Sequence, residues 1–250
     1  MRAPDWLTAR PVAHRGLHDR ARGIIENMPS AIEAAIAGNF SIEVDVQLTA
    51  DGEAVVHHDD VLGRLNEGRA ALVTLTAAQL KQVPFKDTTE RMLTLGELGD
   101  MVAGRVALVI EVKSRFDGDR KLVTRVAQVL ASYRAPAVAM SFDPDQVIAL
   151  RELAPTLVRG VVAQRRYHED EWTRASVAQR HQMTALRHAF RTQPHFVAYR
   201  VDELPAPAPW IARKLFGCPL LTWTVRTQDQ RARAAQYADQ MIFEGFVPES

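Results

Sequence analysis

The stretch SIEVDVQLTADGEAVVHHDD (residues 41–60) decides how this chain is read. Ile42, Val44 and Val46 alternate with Glu43 and Asp45, so an extended strand puts both acids on one face. Asp51-Gly52 follows, and then a second apolar run, AVVHHD (54–59), ends in two histidines. Asp-Gly between two strand-like runs is a strong hairpin signal. With Asp51 and Gly52 as the two central turn residues, Asp45 faces His58 and Val46 faces His57. On that register His58 shares a face with Glu43 and Asp45, while His57 looks the other way; a one-residue slip exchanges the two.

Outward from this hairpin the chain alternates short β-branched runs with amphipathic stretches. The runs are PVAHRG (11–16), IEVDV (42–46), ALVIEVK (107–113), AVAMSF (137–142), RGVVAQ (159–164), FVAYRV (196–201), LLTWTV (220–225) and QMIFEG (240–245). Helical periodicity fills 29–38, 120–133, 143–154, 173–190 and 227–238, with Asp143-Pro144 as an N-cap and first turn. Such alternation predicts a parallel sheet, and eight runs predict a TIM (β/α)8 barrel, one α/β domain over residues 1–250. The 54–59 run lies outside that count, so strand two rises out of the barrel and folds back. A small insertion at about 63–95, before the TLGELGDMV helix, is expected near the barrel mouth, where loops set specificity. The Pro-rich LPAPAPW (204–210) is too short for an interdomain linker.

Composition excludes several classes. One cysteine, Cys218, rules out a disulfide framework or a multi-cysteine zinc site and fits a reducing compartment. A net charge of +1 without a polybasic run gives no support for a nucleic-acid partner. No apolar stretch approaches a signal peptide or the roughly 20 residues of a membrane span, so the expectation is a cytoplasmic protein without membrane insertion.

Barrel enzymes react at the C-terminal ends of their strands. Those ends here carry His14-Arg15-Gly16, Glu43-Val44-Asp45 and Glu111-Val112-Lys113. Charged carboxylates crowded into a poorly hydrated site are costly, and a hard divalent cation, Mg²⁺ or Ca²⁺, resolves the conflict with oxygen ligands. Glu43, Asp45 and Glu111 are the expected ligands. Arg15 and Lys113 beside them suit an anionic, oxygen-rich group such as phosphate. Two histidines supply proton transfer near neutral pH. The residues alone therefore point to metal-assisted phosphoester chemistry.

VAHRG, then EN and a helix, then IEVDVQLTADGEAVVHHDDVLGR, LVIEVK and LLTWTV resemble the glycerophosphodiester phosphodiesterases over nearly the whole chain. The resemblance implies catalytic roles for His14 and His58, the latter from the H-D-x-x-L-x-R register His58–Arg64. It implies metal ligation by Glu43, Asp45 and Glu111, phosphate contacts from Arg15 and Lys113, and a cleft-lining Trp223. It implies hydrolysis of small glycerophosphodiesters to sn-glycerol 3-phosphate and an alcohol, with one divalent cation. Two departures stand out: Met28 replaces the threonine of the family's Glu-Asn-Thr, and Phe243-Glu244-Gly245-Phe246 replaces Thr-Asp near a proline. Neither touches the proposed ligands or the histidine pair.

The same residues admit other readings. Glu43 with Asp45, or Glu111 with Lys113, could be surface stripes; Arg15 could simply pair with Glu26; Trp223 could be core; Asp59 and Asp60 read as turn or orienting residues. A sphingomyelinase D-like lyase would be expected to carry a secretion signal and disulfides. A degenerate barrel that binds phosphodiesters without cleaving them would not need intact acids and histidines.

Overall fold

The computed structural model describes residues 3–168 and 172–248. Its strands are β1 (Val12–His14), β2 (Ser41–Leu48), β3 (Ala54–Val56), β4 (Leu108–Val112), β5 (Ala137–Ser141), β6 (Val158–Ala163), β7 (Phe196–Arg200), β8 (Leu220–Val225) and β9 (Gln240–Phe243). Each of the eight runs read from sequence is a strand, helices lie between them, and the fold is a TIM barrel. By contact density the chain divides into Met1–Val12, Ser114–Arg120 and Val138–Ser250 as one unit, and Ala13–Lys113 with Lys121–Ala137 as the other. No helix among the described residues is long and apolar enough to cross a membrane.

In the second unit, β2 pairs with β1 and runs parallel to β4, with Asp45 opposite Glu111. The first six residues of β2 are all buried, acids included. Helix α1 (Pro29–Ala37) begins with proline at its first position, where a missing N–H costs nothing. Its N-cap residue, Met28, has no side-chain acceptor to offer. Glu90, in the 63–95 segment, does that work, accepting from the Ser30 amide and hydroxyl at 2.7 Å each. The same segment carries helix α2 (Ala77–Gln82), and α3 (Leu95–Val102) follows it behind a Thr94–Glu97 capping box. Ile25, Met28, Val55 and Leu62 pack with Leu65, Leu72, Leu80, Phe85 and Met92 of that segment in one apolar cluster. Met28 is fully buried there, so the residue that departs from Glu-Asn-Thr serves packing. Helix α4 (Lys121–Ser132) is fixed to the hairpin by a bidentate Arg125–Glu53 pair, both bonds 2.8 Å.

The hairpin exists, but its register differs from the expected one. Val46 pairs with Val56, Gln47 with Val55 and Leu48 with Ala54, which sets Asp45 opposite His57. Asp51 and Gly52 are not a two-residue turn. Gly52 N–H donates to Thr49 O, Thr49 N–H donates to Glu53 O, and Gly52 has φ +79° while Asp51 has not turned left-handed. This is a type I turn closed by a glycine bulge, and the extra residue shifts the pairing by one. β3 ends at Val56, so strand alternation does not extend to either histidine.

In the first unit, β5 to β9 form consecutive parallel neighbours. Helix α5 (Pro144–Leu153) is capped by Asp143, which accepts from the Asp145 amide. The 173–190 stretch is not one helix: α6 (Val177–Thr184) and α7 (Ala189–Thr192) are separated by Leu186 at φ +51°. Helix α8 (Pro207–Phe216) lies outside the stretches where helical periodicity was read, and it opens within the Pro-rich 204–210 segment. Both Pro207 and Pro209 lie in its first turn, where backbone donors have no helical partner to lose. Helix α9 (Gln228–Tyr237) follows a Thr227–Gln230 capping box.

Candidate active site

Every charged group proposed from sequence, together with both histidines, belongs to the second unit. Glu43 and Asp45 point to one face because they are two apart on β2, and Glu111 joins them because it is Asp45's neighbour on β4. One carboxylate oxygen from each lies within 4.8 Å of the others. Glu43 and Asp45 are each 1% exposed and Glu111 8%, which removes the reading of a solvent-facing stripe.

Two cations answer this charge. Lys113 Nζ sits 2.7 Å from Asp45 Oδ1 and 2.6 Å from Glu111 Oε1. Arg15 Nε lies 3.0 Å from Asp45 Oδ2 without hydrogen-bond alignment, and its Nη1 donates to Glu26 at 2.7 Å. The Arg15 amide donates to Glu43 Oε2 at 3.1 Å, and His14 Nε2 stands 3.9 Å from the same oxygen. Arg15 (φ +56°) and Asn27 (φ +61°) both adopt left-handed backbone, joined by Asn27 N–H donating to Arg15 O at 2.8 Å. Non-glycine residues in that region are strained and persist where surroundings overdetermine them. Gly16 completes the turn at φ +79°, with Ala31 so close that a Cβ would come within 2.8 Å of its backbone.

The electrostatics separate the two acids of β2. Burial, then the charges of Asp45 and Glu111, push the Glu43 carboxyl well above its ordinary value. Burial pushes Asp45 the same way, but Lys113, Arg15, His58 and His14 outweigh it and hold Asp45 well below the carboxylate range. Lys113 and Arg15 are raised: burial opposes their charge, and the acids prevail.

The donor set fits a divalent cation. It is all oxygen, it carries more carboxylate than two cations neutralise, and Glu43 is left with a proton-favouring deficit that a metal would fill. Asn27 adds a polar group that sequence reasoning had not assigned. Its Nδ2 donates to Asp45 Oδ2 at 3.2 Å, while its buried Oδ1 has no partner among the described residues.

The histidines differ in surroundings. His57 is buried, its ring edge-on to Phe85 at 6.2 Å, and burial lowers its pKa to about 4. His58 is partly open; its carbonyl accepts from Gln47 Nε2 at 2.8 Å and its Nδ1 lies 2.8 Å from Asp59 Oδ1. The environment thus favours His58 for chemistry although the strand pairing does not. Arg64 links Asp59 to Glu26, a connection between residues far apart in sequence that no local pattern announced.

Trp223 belongs to the first unit, partly buried on β8. Its ring meets Phe142 at 5.4 Å, and Trp172, Tyr167 and Phe116 extend the aromatic cluster. Its Nε1 is buried without a partner among the described residues. The altered closing segment is also packed: the Phe243 and Phe246 rings meet at 5.3 Å, tilted by 45°, and Arg226 holds Glu244 at 2.5 Å.

Fold and site together define an α/β barrel whose strand ends carry an acidic triad able to bind a metal. A sequence profile of the glycerophosphoryl diester phosphodiesterase family matches residues 14–246, and the chain belongs to that family. A glycerophosphodiester phosphodiesterase of Caldanaerobacter subterraneus is 29% identical over 165 residues, 61% of this chain and 66% of its own length. The Bacillus subtilis protein YhdW is 27% identical over 231 residues, 89% of this chain and 88% of its own. Against human glycerophosphodiester phosphodiesterase 1 the match is 26% over 154 residues, under half of the human chain at 45%. An Oleispira antarctica phosphodiesterase, solved with the product sn-glycerol-3-phosphate, shares the fold at TM-score 0.73 and 19% identity, covering 93% of this chain and 91% of its own. The Thermotoga maritima glycerophosphodiester phosphodiesterase does so at TM-score 0.69 and 22% identity, with 94% of each chain covered.

Proposed function

We propose that this protein hydrolyses glycerophosphodiesters to sn-glycerol 3-phosphate and a free alcohol, using one divalent cation, Mg²⁺ or Ca²⁺, held by Glu43, Asp45 and Glu111. The observation that carries this reading is the buried cluster of three carboxylates with His14, Arg15 and Lys113 against it. The product bound to the Oleispira relative and the family membership support it. When bound, the cation would offset negative charge developing on the phosphate.

The chain's own groups do the rest. Arg15 and Lys113 bind the anionic phosphate and turn from the carboxylates toward it. One histidine removes the proton of the attacking hydroxyl; the other protonates the departing alcohol oxygen, so the P–O bond breaks without releasing an alkoxide. His14 and His58 fill these roles from opposite sides of the phosphorus, as in-line displacement needs. The attacking hydroxyl belongs to water or to the glycerol itself, and the second route passes through a cyclic phosphate. Trp223 is assigned to the substrate by family resemblance.

Glycerophosphocholine incubated with Mg²⁺ or Ca²⁺, with and without EDTA, tests the proposal. Release of glycerol 3-phosphate that EDTA abolishes supports it. Release of choline phosphate places the cut at the other ester, and no turnover with either metal removes the activity.

A further inference from the structure

Glu26, Asp59 and Arg64 take no part in the proposed reaction, yet they form a continuous hydrogen-bonded set with two residues that do. His58 Nδ1 lies 2.8 Å from Asp59 Oδ1. Arg64 Nε donates to Asp59 Oδ2 at 2.6 Å, and Nη2 lies 3.2 Å from Asp59 Oδ1. The other edge of the same guanidinium forks onto Glu26, with Nη1 to Oε2 at 2.9 Å and Nη2 to Oε1 at 2.7 Å. Glu26 Oε1 also accepts from Arg15 Nη1 at 2.7 Å.

We propose that Arg64 is a positioning residue that fixes the ring and tautomer of His58 through Asp59 and the orientation of Arg15 through Glu26. The inference rests on the functional reading above. An ionised carboxylate can only accept, so Asp59 places the imidazole proton on Nδ1 and leaves Nε2 as the atom that exchanges protons. Asp59 would swing about its own side-chain torsions if His58 were its only partner. Arg64 binds both of its oxygens and locks that plane. The same planar fork matches Glu26 with two nearly parallel bonds, which a lysine cannot reproduce. Both carboxyls stay ionised: burial opposes this, but hydrogen bonds and charge from Arg64, Arg15 and His58 hold Glu26 at about 2 and Asp59 below the carboxylate range. One residue thereby sets the relative placement of a proton-transfer group and a phosphate-binding group that lie 43 positions apart in sequence.

A clamp that merely ties the insertion to the barrel would show the same distances, so the test reads the imidazole directly. In the full-length, metal-free protein with ¹⁵N-labelled histidine rings, NMR at pH 8 reports the tautomer of His58. The wild type is expected to show Nδ1–H. Asp59→Asn should convert it largely to Nε2–H, because an amide NH₂ donates to Nδ1, and Arg64→Gln should give a mixture. With glycerophosphocholine and Mg²⁺, Arg64→Gln should lower kcat about ten- to a hundredfold, the usual loss when an outer partner of a functional group is removed. Arg64→Lys should recover thermal stability and little of kcat, since it restores charge without the fork. An unchanged tautomer in both Asp59→Asn and Arg64→Gln overturns the proposal, whatever the melting temperatures. Full kcat in Arg64→Gln does the same. Should the wild type not cleave glycerophosphocholine, the tautomer measurement still decides the positioning role, so the two failures are distinguishable.

Discussion

Glu43 and Asp45 stand two residues apart on one face of β2, and their carboxyls are driven in opposite directions. Both are buried, so burial does not distinguish them. What distinguishes them is placement: Asp45 has Lys113 at 2.7 Å and Arg15 at 3.0 Å, whereas Glu43 faces the charges of two neighbouring carboxylates. The amide substitutions should therefore diverge in the metal-free protein. Glu43→Gln replaces a group that already favours its neutral form and should change unfolding free energy by under about 1 kcal/mol. Asp45→Asn leaves two partly buried cations short of their counter-ion and should cost up to about 3 kcal/mol, the lower end of the penalty for breaking a buried pair from one side. Urea denaturation in EDTA measures both; equal losses would refute the asymmetry.

His14 and His58 should each be indispensable to turnover, and His57 should not. On the proposed mechanism His14→Ala and His58→Ala remove a proton-transfer group worth roughly 10²–10⁴-fold in rate. His57→Ala removes a ring packed on Phe85 and should lower stability while retaining most of kcat. Steady-state kinetics with circular dichroism separates the cases; a dead His57→Ala beside an active His58→Ala would reverse the assignment.

His57 should also make stability depend on pH. Its folded pKa, about 4, lies below the ordinary 6.5 of the unfolded chain because burial disfavours the imidazolium. Between those values the unfolded state binds the extra proton, so His57's contribution is complete above about 6.5 and is lost as pH falls toward 4. His57→Leu, placed in the apolar cluster around Phe85, should therefore lose less stability than wild type on going from pH 7 to pH 5, by up to about 2 kcal/mol. His188 and His195 are depressed in the same direction and remain in both proteins, so parallel pH profiles would contradict this assignment to His57.

Gly16→Ala should be disproportionately harmful for a single methyl group. The backbone there is left-handed, and the added Cβ would meet Ala31's backbone at 2.8 Å. A loss on the order of 2–3 kcal/mol is expected from strain and clash together. The turn also carries Arg15, so phosphate affinity should weaken in the same variant. Thermal melts and product-inhibition constants with glycerol 3-phosphate provide the check, and an unaltered melting temperature would remove the argument.

Much of this was legible in sequence because period-two alternation is local. The eight strands, and Glu43, Asp45 and Glu111 on shared faces of neighbouring strands, follow from spacing and barrel geometry. The hairpin register did not, because Asp51-Gly52 suits both a two-residue turn and a type I turn with a glycine bulge, and those differ by the one residue that exchanges the histidines. Helix α8 was hidden by prolines that are harmless only in a first turn. The Glu26–Arg64–Asp59 linkage was invisible for another reason: Glu26 and Arg64 lie 38 positions apart and meet only in the tertiary packing.

Anomalous diffraction from a crystal soaked in Mn²⁺, a stand-in for Mg²⁺, tests the centre of the account most directly. One strong peak should lie among Glu43, Asp45 and Glu111, with an oxygen of each at about 2.1–2.2 Å and the Lys113 ammonium moved off Asp45. A peak elsewhere, or Asp45 and Glu111 still closed around Lys113 at saturating metal, would contradict it.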